Sequence, residues 1–418
     1  MAKHKGKMKH KVVEKFKPRL VVEPGTGRVV AGDRESAEFL EENYFGRREG
    51  DKVILHPVEA LYLINARRCT CYENNQPANF ITLLSRSARE ERIFAKYNVF
   101  RDWRDRGIYL QIKDTFFEKL GTRSADFGNS PVVKYPSTEF SLKRMNITLN
   151  FVEEDMFSFH HCKTPEEKKL FTDYWFGQLG VYKHHERDAI LKFDVIETLF
   201  LAKNGFEVRM LSTGEAISFE SLLEMIKKRY PNIEAMLEVY EDWRQRGYVV
   251  KTGFKFGTHF RIYFPGASPV REKSKWIHSK HVIHVFPKNA KMIMSEWARA
   301  VRVAHSVRKT FIMAIPGMKK EDYRIERELI DFIGFWRKKI GVEKPFTDNP
   351  RYAIIALTED EELGGRELAA ALDQADKLGL RLILAITDRE TSVTYYLAKR
   401  IELPGSKNRY YEIEWKQP

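Results

Sequence analysis

Apolar residues recur at helical spacing through "SFESLLEMIKKRYPNIEAMLEVYEDWRQRG", and Gly247 at its end is a good helix stop. The period then changes. "YVVKTG", "HFRIYF" and "HVIHVF" are short β-rich runs, the first two separated by glycines, and each predicts a strand. "MIMSEWARAVRVAHSV" returns to the helical period, and the apolar run "TFIMAI" after it predicts a buried strand. The pattern is a helical front half followed by an α/β back half with a small mixed sheet. Segment 316–348, which holds "PGMKKEDYRIERELIDFIGFWRKKIG", reads as a connector made of a short strand and a helix.

Parts of this pattern occur more than once. "FRDWRDRGIYLQIK" from Phe100 matches "YEDWRQRGYVVKTG" from Tyr240, an offset of 240 − 100 = 140, and "VEALYLI" from Val58 matches "IETLFLA" from Ile196 at 138. A second repeat aligns "WARAVRVAHSVRKTFIMAI" from Trp297 with "LAAALDQADKLGLRLILAI" from Leu368, an offset of 71. The first third therefore repeats the front half of a middle unit, and the last stretch repeats its back half. The expected division is a degenerate N-terminal unit over 1–155, a complete unit over 156–335 and a structural C-terminal unit over 336–418. The fold class is mixed α/β or α+β, built from repeated units.

At 418 residues the chain is too long for one ordinary core. Hydrophobic residues at 43% can fill several cores, and charged residues at 31% leave a solvated surface, which excludes a disordered chain. Lys+Arg 72 against Asp+Glu 58 gives a net charge of +14, which favours a polyanionic partner, nucleic acid first. No apolar run reaches the ~18 residues needed to cross a bilayer, and "MAKHKGKMKHK" has the charge of a secretory signal without its apolar segment. A cytoplasmic protein with a basic N-terminal arm is expected. Cys69, Cys71 and Cys162 are too few and odd in number for a disulfide framework. A zinc site from "CTC" and "HHC" (His160, His161, Cys162) would need ligands about ninety residues apart, so no metal is expected.

"DWRQRGYVVKTGFKFGTHFRIY", "HSKHVIHV" and "RAVRVAHSVRK", in that order, resemble the archaeal tRNA-splicing endonucleases: the segment leading to the family's tyrosine, its histidine strand, and the helix end that presents its lysine. "VEALYLI", "DWRDRGIYL" and the terminal "YYEIEW" resemble further family segments, so the likeness covers nearly the whole chain. The order of halves departs from the simple family pattern and is similar to the three-unit, self-dimerising type. The resemblance implies a restriction-endonuclease-like back half, catalytic residues Tyr263, His278 and Lys309, a precursor tRNA substrate with bulge-helix-bulge intron boundaries, and a homodimer. It implies no cofactor. It also implies that Arg302, seven residues and two turns before Lys309, stacks on a bulged base, with Arg324 as a second clamp. His305 and Arg308 are read as solvated. Asp388 and Glu390 in "AITDRETSVTYY" would form an acidic turn that docks in a basic pocket, where the middle unit has the basic "AIPGMKKEDY".

RNA can be cut without a metal if its 2'-OH attacks the neighbouring phosphorus, which requires a base, an acid for the leaving 5'-oxygen and a cation for the developing charge. Tyr263, His278 and Lys309 supply these three roles. A phenol of pKa ~10 needs nearby cations to serve as the base, whereas a histidine near ~6.5 suits the acid. The expected ends are 2',3'-cyclic phosphate and 5'-hydroxyl. The repeats give a control: 278 + 71 and 309 + 71 fall on Asn349 and Leu380, and 263 − 140 falls on Arg123, so one active site per chain is expected. A metal-dependent DNA nuclease is the first alternative, but no paired acidic motif followed by a lysine strand lies near Tyr263 or His278. A non-catalytic RNA-binding scaffold is the second.

Overall fold

The computed structural model describes residues 16–122, 125–128, 132–181, 189–270, 278–325 and 328–417. The basic arm over the first dozen residues and Arg123 lie outside them. Two compact units take their residues from 1–124, 331–350 and 390–393, and from 125–330, 351–389 and 394–418. The architecture is mixed α/β, and the described residues set helices among four sheets. Among the described residues no helix is long and apolar enough to cross a membrane.

In the first unit a six-stranded sheet accompanies the helices, so this front half is less purely helical than its pattern suggests. Helix Pro57–Asn65 begins with a capping box in which Glu59 reaches back to the His56 N–H, and it packs on helix Ile93–Asp105. Strand Leu110–Ile112 then pairs antiparallel with Phe332–Gly334, which follows more than 200 residues later. The chain leaves this unit and returns to complete a hairpin. That pairing explains why segment 316–348 contains no α-helix among its described residues, only a 3-10 turn at Lys320–Tyr323 and this strand. The run "IDFIGF" is short, Gly334 within it lowers helix propensity by about 1 kcal/mol, and Phe332 and Ile333 are buried. Cys69 and Cys71 are buried free thiols, raised to about 11 by burial.

The second unit opens with a five-stranded sheet and helix α1, Val195–Lys203, capped by Asp194 and Glu197 as its counterpart is by His56 and Glu59. Helices α2, Phe219–Arg229, and α3, Ile233–Arg244, divide the long helical stretch of the sequence. Pro231 cannot continue α2, because it has no N–H to donate. A large sheet follows, made of β1 Val249–Thr252, β2 Phe260–Tyr263, β3 His281–Val285, β4 Thr310–Ala314, β5 Tyr352–Thr358, β6 Arg381–Thr387, β7 Val393–Glu402 and β8 Tyr410–Trp415. In space the order is β1-β2-β3-β4-β8-β7-β6-β5. Helix α4, Met294–Ser306, connects the parallel pair β3 and β4, and α5, Gly365–Lys377, connects the parallel pair β5 and β6.

The two back halves correspond residue by residue. His281 pairs with Thr310 and Tyr352 with Arg381, each partner displaced by 71. Short strands Lys291–Ile293 and Glu362–Gly364 pair antiparallel with Met292 opposite Leu363, its own equivalent at 292 + 71. Equivalent residues facing one another place a local two-fold axis there.

One joint recurs in both front halves. The Gly46 N–H donates to both Glu59 carboxylate oxygens at 3.1 Å, and the Gly177 N–H donates to Glu197 Oε1 at 3.0 Å. Both glycines are left-handed, with φ of +57° and +65°, and a Cβ would lie 2.5 Å from the Ile54 carbonyl oxygen or 2.6 Å from that of Lys192. Only glycine fits. Gly46→Ala and Gly177→Ala are each expected to cost about 2 kcal/mol or more, read as a lower urea midpoint, whereas Gly214→Ala, at φ +73° in open space, should cost less.

Candidate active site

Strand register brings three distant residues to one sheet edge. Ile262 on β2 pairs with His281, so Tyr263 at the end of antiparallel β2 lies beside the start of β3. His281 pairs with Thr310, which sets His278 and Lys309 just ahead of two adjacent parallel strands. The Lys309 ammonium donates to the Ser279 carbonyl oxygen and, at 2.9 Å, to Ser279 Oγ, and it stands 4.6 Å from the Phe256 ring centroid.

The end of α4 aims Lys309. Arg308 is left-handed at φ +55°, and the Lys309 N–H returns to the Ala304 carbonyl at 2.9 Å. In the other back half Gly379, φ +62°, takes the place of Arg308, and the Leu380 N–H returns to Ala375 at 2.9 Å. An arginine in this conformation costs about 1 kcal/mol relative to glycine. Arg308 is exposed, as read from the sequence, but His305 is half-buried and its Nε2 accepts the Trp415 N–H at 3.3 Å.

Tyr263, His278 and Lys309 line a cleft of about 430 Å³ with Trp175, Asp194, Glu197, Lys251 and Arg261 among its walls. The Tyr263 ring lies 4.7 Å from that of Trp175. At the floor Lys251 donates to Glu197 Oε1 and to the Gly177 carbonyl, each at 2.7 Å. Burial lowers the Lys251 ammonium, and it raises the Asp194 carboxyl to about 7, with Glu197 adding to the effect. Burial and then the charge of Arg261 draw the Lys309 ammonium below its ordinary value. Among the described residues no group of three or more His, Cys, Asp or Glu is placed to hold a metal.

The other repeat lacks these groups. Val250 opposes Ile262 in the β1–β2 hairpin, and Leu110, the equivalent of Val250, opposes Gly334. The next residue, Phe335, is therefore the counterpart of Tyr263 and carries no hydroxyl. Counting back to Arg123 misses this because the completing strand is supplied from beyond the middle of the chain. With Asn349 and Leu380 at the other two positions, none of the three side chains is duplicated.

Arg302 is exposed on α4 and Arg324 is exposed after the 3-10 turn, and neither lines the cleft. Asp388 and Glu390 occupy the β6–β7 turn around Arg389, whose guanidinium holds Asp360 at 2.9 Å. Sequence reasoning missed Arg261, Lys251 and Ser279. The period of 2 in "FRIY" was the available signal for Arg261, since it shares a strand face with Tyr263.

The cleft brings a tyrosine, a histidine and a lysine together with the further cations Lys251 and Arg261 and the acids Asp194 and Glu197. The profile described as "tRNA intron endonuclease, catalytic C-terminal domain" matches residues 233–326, which include all three, and that described as "tRNA intron endonuclease, N-terminal domain" matches residues 25–84. The tRNA-splicing endonuclease of Methanosarcina mazei is 27% identical over 342 residues, 71% of this chain and 95% of the relative. That of Methanopyrus kandleri is 38% identical over 154 residues, covering 37% and 78%, and that of Thermococcus onnurineus is 38% identical over 125 residues, covering 30% and 68%. The chain belongs to the tRNA-splicing endonuclease family and carries its catalytic domain.

Beside the site, burial depresses His281 to about 4 and His284 to about 3. An unfolded histidine binds its proton near ~6.5, so below that pH the unfolded chain takes up protons that the folded chain refuses. Stability should therefore fall as pH drops from about 6.5 towards 4. Asp194 acts in the opposite sense, so the informative quantity is a difference: the urea midpoint of His284→Asn should fall less between pH 7 and 5 than that of the unmodified chain. Parallel losses would contradict the assignment.

Proposed function

We propose that this chain is a tRNA-splicing endonuclease that cuts precursor tRNA at bulge-helix-bulge intron boundaries by metal-independent attack of the 2'-OH. The observation that carries the reading is the convergence of Tyr263, His278 and Lys309 on one cleft, in a chain whose other repeat has Phe335, Asn349 and Leu380 at those positions. In this reaction the attacking 2'-OH gives its proton to the Tyr263 oxygen as the new O–P bond forms. His278 protonates the 5'-oxygen as its bond to phosphorus breaks, and Lys309 balances the charge on the non-bridging oxygens. Two Lys309 protons are held by Ser279, which fixes the ammonium and leaves the third for the phosphate. The ends are 2',3'-cyclic phosphate and 5'-hydroxyl.

The same proposal includes the three-part organisation, a front half before a complete unit and a back half after it, in a cytoplasmic homodimer. A two-fold pair supplies two active sites for an RNA with two bulges. Arg302 and Arg324 contact the bulged bases, and the turn of Asp388 and Glu390 docks against a basic pocket.

The test is a bulge-helix-bulge RNA incubated in EDTA, followed by end-group analysis. Cleavage to cyclic phosphate and 5'-hydroxyl supports the reading, and dependence on a divalent cation overturns it. Lys309→Ala and His278→Ala should each slow cleavage by about 10² or more while RNA binding persists, because many other cations contact phosphate. Near-normal rates at neutral pH would rule out the three-residue site.

The acidic turn gives a separate expectation. Asp388→Lys with Glu390→Lys should cripple cleavage through like-charge repulsion while the thermal midpoint falls far less than for a core substitution, since Glu390 is exposed and Asp388 is only half-buried in the turn. Full activity and an unchanged mass by light scattering would show that the turn is an ordinary hairpin.

A further inference from the structure

Arg261 is a cation of the cleft that no acid among the described residues neutralises. It precedes Tyr263 by two positions on β2, so both side chains leave the same face, and its guanidinium carbon stands 5.8 Å from the Tyr263 ring centroid. Its Nε is buried with no hydrogen-bond partner, and no carboxylate among the described residues lies within ion-pair distance. The neighbouring cations differ: Lys251 is paired with Glu197, and Lys309 is held by Ser279. Arg261 is half-buried, and a buried Nε without a partner on a cation that no described carboxylate balances is costly to keep, so a function at this point is expected.

The repeat supplies the comparison. Arg261 pairs with Lys251 in the β1–β2 hairpin, and the equivalent pair in the other unit is Ile333 with Gln111. Where the tyrosine is replaced by Phe335, the arginine is replaced by a buried isoleucine. The cation accompanies the hydroxyl and is lost with it.

We propose that Arg261 is a positioning residue for cleavage, whose charge holds the Tyr263 oxygen as an effective proton acceptor near neutral pH. The proposal rests on Tyr263 being the base. A phenol of ordinary pKa ~10 is ionised in only about one molecule in a thousand at pH 7. A cation within ~4–6 Å shifts such a group by about 1–3 units towards the charged form. Among the described residues the other groups lining the cleft do not reverse this: Lys251 on β1, Lys255 on the following turn, His278 and Lys309 are cationic or neutral, and so is Lys192 from the front half. Of the two acids, Glu197 is paired with Lys251, and Asp194 is held partly protonated near neutrality.

The experiment is single-turnover cleavage of the bulge-helix-bulge RNA by the full chain in EDTA, measured across pH 6 to 10 for the unmodified protein and for Arg261→Gln, Arg261→Met, Arg261→Lys and Tyr263→Phe. Arg261→Gln and Arg261→Met should move the rising limb of the profile up by about 1 unit, slow the pH 7 reaction about tenfold and approach the unmodified rate at high pH. Arg261→Lys should keep the limb near its original position. A uniform loss across pH in both neutral variants, or no loss, overturns the role of Arg261 while Tyr263→Phe still abolishes most cleavage. Unimpaired cleavage by Tyr263→Phe overturns the assignment of the base, and this proposal with it.

Discussion

One buried carboxylate holds the candidate cleft together. Glu197, at the start of α1, accepts the Gly177 N–H and the Lys251 ammonium, and so ties the front half to the first strand of the large sheet. Burying two charges is expensive, and removing either partner would leave the other uncompensated, at roughly 3–5 kcal/mol. The other unit keeps the glycine and the carboxylate but has Gln111 in place of Lys251, whose side-chain amide donates to the Tyr44 carbonyl at 2.8 Å. A neutral amide is sufficient to hold the halves together. The charged version occurs only where a cationic cleft lies above it, so the joint sets both the shape of the cleft and its field.

From that joint the rest of the site follows by register. β2 runs towards the cleft and β3 and β4 run away from it, so one end of β2 and the approaches to β3 and β4 share an edge. The left-handed residue after α4 completes the arrangement by turning the chain sharply into β4. Glycine serves at that place in the last repeat, and an exposed arginine in the repeat that carries Tyr263, His278 and Lys309. Two copies of one scaffold thus differ in the side chains they place at this edge.

Much of this was legible in the sequence because it depends on short-range pattern. The strands "HFRIYF", "HVIHVF" and "TFIMAI" and the helix between the last two appear where the periods place them, and both repeat offsets survive as pairing registers. The long-range exchange of strands was not legible. Nothing in "LQI" or "FIG" says that they pair across more than 200 residues, and the apolar run around Gly334 reads as helix until its partner is known. Of the site, Tyr263, His278 and Lys309 were found by motif. Lys251 and Glu197 were not found, because nothing local marks a lysine or a glutamate for burial.

The central claim is that the RNA's own 2'-oxygen is the nucleophile in this cleft, with protein groups moving the protons. A bulge-helix-bulge RNA carrying a single 2'-deoxy substitution at the nucleotide preceding one scissile phosphate tests it most directly. The account predicts that cleavage at that boundary is abolished in EDTA while the other boundary is still cut. Cleavage at the substituted boundary at an undiminished rate would mean that water or a protein group attacks, and would contradict the account.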